Sequence, residues 1–123
     1  MNDEILEDSF LLSKKQCSEF IKEAALHEQL IVALLKNYDV LNLAHSEKRD
    51  LLKKLCEYYM CNAGIRDLLE DFEASRPSQY NEEHEDYDYI VTVEDSRNLQ
   101  LIIIASDVLK MELEDYNISF TVH

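Results

Sequence analysis

The sequence predicts an α+β protein in which two long N-terminal helices pack on a C-terminal antiparallel β-meander. Three observations carry that expectation. Apolar residues recur at helical spacing over residues 17–38 and 51–72. The chain's one proline, Pro77, then separates this half from one in which apolar and polar residues alternate. Finally, the alternation returns in four short stretches divided by polar residues. An all-α bundle is the alternative, because residues 94–116 also set Ile102, Ala105, Leu109, Leu113 and Tyr116 on one helical stripe, behind a capping box of Thr92 and Asp95.

Taken in order, residues 2–11 suit a short helix with Asp3 and Glu4 at its positive end and Ile5, Leu6, Phe10 and Leu11 for burial. Ser13 and Gln16 form a second capping box, opening a helix expected to run to about Ala44. Cys17, Phe20, Ile21, Ala24, Ile31, Leu35 and Tyr38 mark its apolar period, and its middle, LIVALL, is apolar nearly all round, so it is the expected core element. Ser46 is the expected cap of a second helix that carries Leu51, Leu55, Tyr59, Ile65, Leu69 and Phe72 on one stripe and Lys48, Arg49, Lys53 and Lys54 near the opposite face. Gly64 is the expected site of a kink or break. Pro77 disfavours helical backbone at Arg76, so the helix should stop near Ala74 or Ser75. Tyr87, Tyr89, Val91 and Val93 then alternate as a strand, followed by Leu99, Leu101, Ile103 and Ala105, by Leu109, Met111 and Leu113, and by Ile118, Phe120 and Val122. Three consecutive isoleucines favour the pleated reading of the second stretch. The expected organisation is one domain: a helical part over residues 1–76, an acidic joint over 77–86 and a β-rich part over 87–123.

Charge is uneven along the chain. Of the net −14, residues 67–95 contribute −10, with eleven carboxylates against Arg76 alone, whereas residues 14–66 carry +2. A polyanion would be repelled by such a surface, so nucleic acid is not the expected direct ligand and a basic partner is. One glycine leaves no glycine-rich phosphate loop, which argues against nucleotide-binding enzymes. A hydrophobic content of 46% with seven tyrosines argues for a folded chain. Cys17, Cys56 and Cys61 are odd in number without CxxC spacing, and MNDEILEDSF lacks the basic start and apolar run of a secretion signal, so a reduced, cytoplasmic setting is expected. The longest apolar run, residues 30–35, is far short of the roughly 20 residues that span a bilayer.

The residues expected to meet a partner are Asp71, Glu73, Tyr80, Glu82, Glu83, Glu85, Asp86, Asp88, Glu94 and Asp95. Tyrosine buries large area at small entropic cost, which makes Tyr80 among these acids a natural contact, whereas Tyr87 and Tyr89 alternate with polar residues and are expected in the core. The acidic stretch has three readings. It can be a solvated face, as charge runs usually are. Asp86 and Asp88 have the alternate spacing of a calcium site, but no glycine or following glutamate completes one, so no metal is expected. Carboxylates on a strand rise about 3.3 Å apart, close to the spacing of phosphates along one nucleic-acid strand, so the stretch can also mimic nucleic acid toward a basic groove. His27, His45, His84 and His123 are scattered without a paired nucleophile, and Cys56 and Cys61 read as small core residues. Neither catalysis nor a cofactor is expected.

The run LEDFEASRP, followed after a ten-residue spacer by DYIV, resembles the small acidic anti-CRISPR proteins with which prophages inhibit type II Cas9. The matching positions are Asp71, Phe72, Glu73, Ser75, Pro77, Glu82, Asp86, Asp88, Tyr89 and Val91, within about a third of the chain near residues 69–107. The resemblance implies a β-rich segment after Tyr89 and an acidic face that occupies the site where a guide-RNA-loaded Cas9 reads the short DNA motif beside its target through arginines. It also implies the cytoplasm of an infected or lysogenic bacterium. The expected function is thus a non-enzymatic inhibitor of a basic nucleic-acid-binding protein. An immunity protein against a basic toxin, and a helical export chaperone or adaptor, are the rival classes.

Overall fold

The computed structural model describes residues 9–37, 43–116 and 118. Strand β1, Ser9–Ser13, leads directly into helix α1, Lys14–Lys36, and helix α2, His45–Ser75, follows. Strands β2, Ser78–Asn81, and β3, Asp86–Thr92, form a hairpin, and helix α3, Val93–Glu114, leaves β3 without an intervening loop. The sheet is antiparallel in the order β1-β3-β2, with Leu11 opposite Ile90 on one side of β3 and Tyr80 opposite Tyr87 on the other. The protein is therefore α+β, but the arrangement departs from the expected one.

The largest correction is that no meander follows β3. Residues 93–114 are one helix, as in the alternative reading of this segment. The capping box decides it: the Thr92 hydroxyl accepts from the Asp95 amide at 3.0 Å while the Asp95 carboxylate accepts from the Thr92 amide at 3.4 Å. Two backbone donors that a helix start leaves unsatisfied are thereby paired. The alternation at Leu99, Leu101, Ile103 and Ala105 is not a strand, and the β-rich segment implied after Tyr89 ends at Thr92. Of the expected last strand only Ile118 is described, and it is buried; Phe120 and Val122 lie outside the described residues.

The N-terminal half differs in detail. The helix expected over residues 2–11 lies mostly outside the described residues, and its last three positions are strand. Helix α1 opens at the expected Ser13, whose hydroxyl accepts from the Gln16 amide at 3.0 Å without the return bond from the Gln16 side chain that a full box would have, and it ends at Lys36 rather than near Ala44. Asn37 closes it, its side-chain amide donating to the Ala33 carbonyl at 2.9 Å. In α2 the N-cap is Ala44, which has no side chain to cap with, and Ser46 sits inside the first turn. Gly64 does not split α2, which runs unbroken through it; a Cβ there would stand 3.7 Å from Ile102 in α3, ordinary contact distance. The helix stops at Ser75, where Pro77 requires it.

Helix α2 is the central element, packed against both α1 and α3, and the apolar interior divides into two clusters along it. One, built on Cys17, Ile65, Leu69 and Phe72, receives Tyr89 and Val91 from the inner face of the sheet. The other, built on Ile31, Leu51, Leu55 and Leu113, lies at the far end of the helices. There Lys54 meets Glu112 at 2.9 Å and the Tyr116 hydroxyl donates to Asp50, joining α3 to α2.

Leu69→Ala empties a fully enclosed site and is expected to lower unfolding free energy by about 2–5 kcal/mol. Thr92→Ala removes only one half of a helix cap and is expected to cost about 1 kcal/mol, with Thr92→Ser near wild type. Urea denaturation measures both, and a Thr92→Ala loss equal to that of Leu69→Ala would contradict the account of the α3 start.

Candidate functional site: the acidic hairpin

The fold sorts the acidic stretch into carboxylates that hold the structure and carboxylates that face solvent. Arg76 does the first part of the sorting. Its guanidinium meets Asp95 through two bonds, of 2.7 Å and 3.0 Å, lies 3.3 Å from Asp71, and stacks 5.4 Å from the Phe72 ring centroid. The Arg76 side chain, followed by the Thr92 hydroxyl and amide, holds the Asp95 carboxyl below its usual range. Asp71 also lies within reach of the Ser75 hydroxyl. Asp95 and Asp71 are thus committed inside the molecule.

Asp86 and Asp88 are committed as well, by different chemistry. One Asp86 oxygen accepts from the backbone amide of Lys15 at 3.0 Å, in the first turn of α1, and the other accepts from its neighbour Tyr87 at 2.8 Å. A carboxylate at the positive end of a helix is well placed electrostatically, so Asp86 caps α1 from far along the chain and ties the hairpin to it. Asp88 is buried and accepts from the Asn81 side-chain amide across the hairpin at 2.9 Å. These are the two strand positions on which a phosphate-like ladder of charge would depend, and neither is free to make one.

The exposed members are left at the tip. Glu82, Glu83 and Glu85 occupy the four-residue loop between β2 and β3, all exposed and without a side-chain hydrogen bond or ion pair to any described residue. The Glu83 amide donates to Asn81 Oδ1 at 2.9 Å, and Glu85 adopts φ 52, the left-handed conformation that closes the turn. Tyr80 and Tyr87, paired across the two strands, stand edge to face with centroids 5.3 Å apart, and both are about half exposed. Tyr87 and Tyr80 thus share a face of the sheet with Tyr89, but at the hairpin end they are left half exposed, whereas Tyr89 is in the core. Glu94, in the first turn of α3, and Glu73, late in α2, are exposed but do not belong to the tip.

Sequence reasoning missed a polar layer between the two apolar clusters. The buried Tyr58 hydroxyl and His27 Nδ1 share a hydrogen bond, Asn62 Nδ2 donates to the Tyr58 backbone carbonyl at 2.8 Å, and the side chains of Asn62 and Ser106 lie beside the phenol. Burial pushes the Tyr58 pKa up to about 12 and lowers that of His27, with Glu23 opposing and Lys110 assisting the latter. The layer borders a cavity of ≈150 Å³ between the helices. Beside it, the buried Glu28 meets Arg66 at 2.6 Å, while its second oxygen has no hydrogen-bond partner. Only the coincidence of His27 and Glu28 with the apolar period of α1 signalled these burials beforehand.

Cys17 is a structural thiol, donating to the Leu69 carbonyl at 3.5 Å and pushed up to about 11 by burial and by the charge of Glu73. Among the described residues no group of His, Cys, Asp and Glu is placed to hold a metal ion, and no helix is long and apolar enough to cross a membrane. No family model matches the chain, nor does any curated protein or solved structure.

The polar layer makes stability depend on pH in a stated direction. Folding lowers the His27 proton affinity, so below its ordinary value of 6.5 the unfolded chain binds more protons. Stability from this group is full above 6.5 and falls as the pH drops below it. Urea midpoints taken from about pH 7 down to about pH 5 should therefore fall more steeply for wild type than for His27→Gln. Parallel slopes would mean that His27 does not titrate against folding.

Proposed function

We propose that this protein is a non-enzymatic acidic binder that docks the β2–β3 tip onto a basic, nucleic-acid-binding surface of another protein. The observation that carries the reading is the separation just described: Glu82, Glu83 and Glu85 are left exposed beside the half-exposed pair Tyr80 and Tyr87, on a hairpin fixed by Asp86, Asp88 and Arg76. A rigid support lowers the ordering cost of presenting like charges, and a tyrosine pair among them offers apolar area that an ordinary solvated acidic face has no use for. The charge mimicry is accordingly a compact acidic and aromatic knob, shorter than a ladder along the strand. Arginines that normally contact phosphates or guanines are the chemistry that would meet it.

Within that class, the resemblance of LEDFEASRP and DYIV to anti-CRISPR proteins selects a Cas9-type nuclease loaded with guide RNA as the partner, met in the cytoplasm of an infected or lysogenic bacterium. Among the matching acids Glu82, Asp86 and Asp88, Glu82 is exposed, Asp86 partly buried and Asp88 buried, so Glu82 is the one we take as the contact.

Reversing Glu82, Glu83 and Glu85 together to lysine should weaken binding to the Cas9–guide RNA complex by about a hundredfold or more, with most of the change in association rate. Tyr80→Ala should cost about tenfold, mostly in dissociation. Wild-type affinity should fall steeply as salt is raised, because exposed charges are screened within about 8 Å at physiological ionic strength. Surface plasmon resonance at several salt concentrations measures all three. Unchanged binding by the triple variant would remove the hairpin from the interface.

A further inference from the structure

Helix α3 is apolar on two sides. Its inner side carries Leu99, Ile102, Ile103, Leu109 and Leu113 into the two core clusters. Its outer side leaves Leu101, Ile104, Val108 and Met111 exposed at 61%, 60%, 50% and 68%. A helix apolar nearly all round is ordinarily covered on more than one side. Here one side is not covered by any described residue. At 100° per residue the four fall within an arc of roughly 80°, and Arg97 and Asp115, both exposed, extend the same arc by one turn at either end.

The spacing along this arc is that of a helix-pairing seam. Positions 97, 101, 104, 108, 111 and 115 are separated alternately by four and three residues, the 3.5-residue period that keeps one stripe facing a partner helix. The stripe is also self-complementary. Arg97 and Asp115, Leu101 and Met111, and Ile104 and Val108 are three pairs each centred on Ser106. Turned antiparallel about a two-fold axis at that level, a second copy would set its Met111 against Leu101, its Val108 against Ile104 and its Asp115 against Arg97. An interface between identical chains must have this property, since one patch meets itself.

The charges support the same occupant. Residues 67–116 contain three bases, of which Arg76 is taken up by Asp95 and Lys110 lines the cavity. Arg97 makes no ion pair with a described residue. Asp115 stands at the negative end of its own helix, where an acid gains nothing from the helix dipole. A second copy supplies what each lacks.

We propose that the outer face of α3 is a homodimer interface, an antiparallel α3–α3 pair with Ile104 and Val108 at its centre and a cross-chain Arg97–Asp115 pair at each end. The seam is about three turns long, below the roughly 800 Å² per partner of a standard interface, and each chain brings a charge of −14, so the association should be weak, with Kd on the order of micromolar.

Sedimentation equilibrium of the full chain at moderate salt tests it. Wild type should show a monomer–dimer equilibrium, and Ile104→Glu should abolish it while far-UV circular dichroism shows an unchanged fold, because that side chain faces solvent. Arg97→Asp and Asp115→Arg should each weaken self-association by about tenfold or more. An equimolar mixture of the two should associate about as well as wild type, because the mixed dimer restores both opposite-charge pairs. A wild type that stays monomeric at about a hundred times the expected Kd would overturn the proposal. So would a dimer that survives Ile104→Glu, or a mixture that associates no better than its components.

Discussion

Arg76 is the one base among the eleven carboxylates of residues 67–95, and its guanidinium closes on Asp95 at 2.7 Å and 3.0 Å while reaching back to Asp71 at 3.3 Å. Much else depends on that contact. Asp71 is in the last turns of α2 and Asp95 in the first turn of α3, so one planar cation joins the helix that ends before the hairpin to the helix that begins after it. Asp95 is at the same time half of the α3 capping box, which means that the ion pair and the helix start share an oxygen. The backbone closes the same joint, with the Ile90 amide donating to the Pro77 carbonyl at 2.8 Å. A fork of donors matched to a carboxylate is what arginine provides and lysine does not.

The interior repeats the pattern of polar contacts placed at junctions. Between the two apolar clusters, His27, Tyr58, Asn62 and Ser106 form a layer contributed by all three helices, and Arg66 holds Glu28 beside it. Such a layer adds little net stability against an apolar core of the same volume, but it penalises registers in which its members are unpaired. Three helices with long apolar stripes could slide past one another. A hydrogen-bonded layer that closes in only one arrangement restricts that freedom.

What could be read from the sequence follows from the same physics. The two N-terminal helices, their opening at Ser13 and their stop before Pro77 were legible because local rules set them: a capping side chain, a 3.6-residue period and the steric demand of proline. The strand at Tyr87, Tyr89 and Val91 was legible by alternation, although alternation does not say how far along the shared face burial extends, and Tyr87, at the hairpin end, is exposed where Tyr89 and Val91 are buried. Helix α3 was misread because Leu101, Ile104, Val108 and Met111 are apolar on its outer side, which erases the contrast on which a helical period depends and lets three isoleucines pass for a strand. The Thr92–Asp95 cap was the local signal that spoke correctly. Strand β1 pairs with β3 some 80 residues away, a partnership that no local window contains. At the site, the carboxylates were visible as a group but not their division, since the partners of Asp86 and Asp95 lie on other elements.

The acids are thus partitioned: some build the hairpin's support and others are left at its tip. A double-mutant cycle on stability, with Arg76→Met, Asp95→Asn and the combination, tests that partition where it is anchored. Contact between half-buried, doubly hydrogen-bonded partners predicts a coupling of about 1–2 kcal/mol, with each single substitution destabilising and the second adding little to the first. Strictly additive effects would contradict it, because Arg76 would then not be the residue that holds the two helices and the hairpin in place.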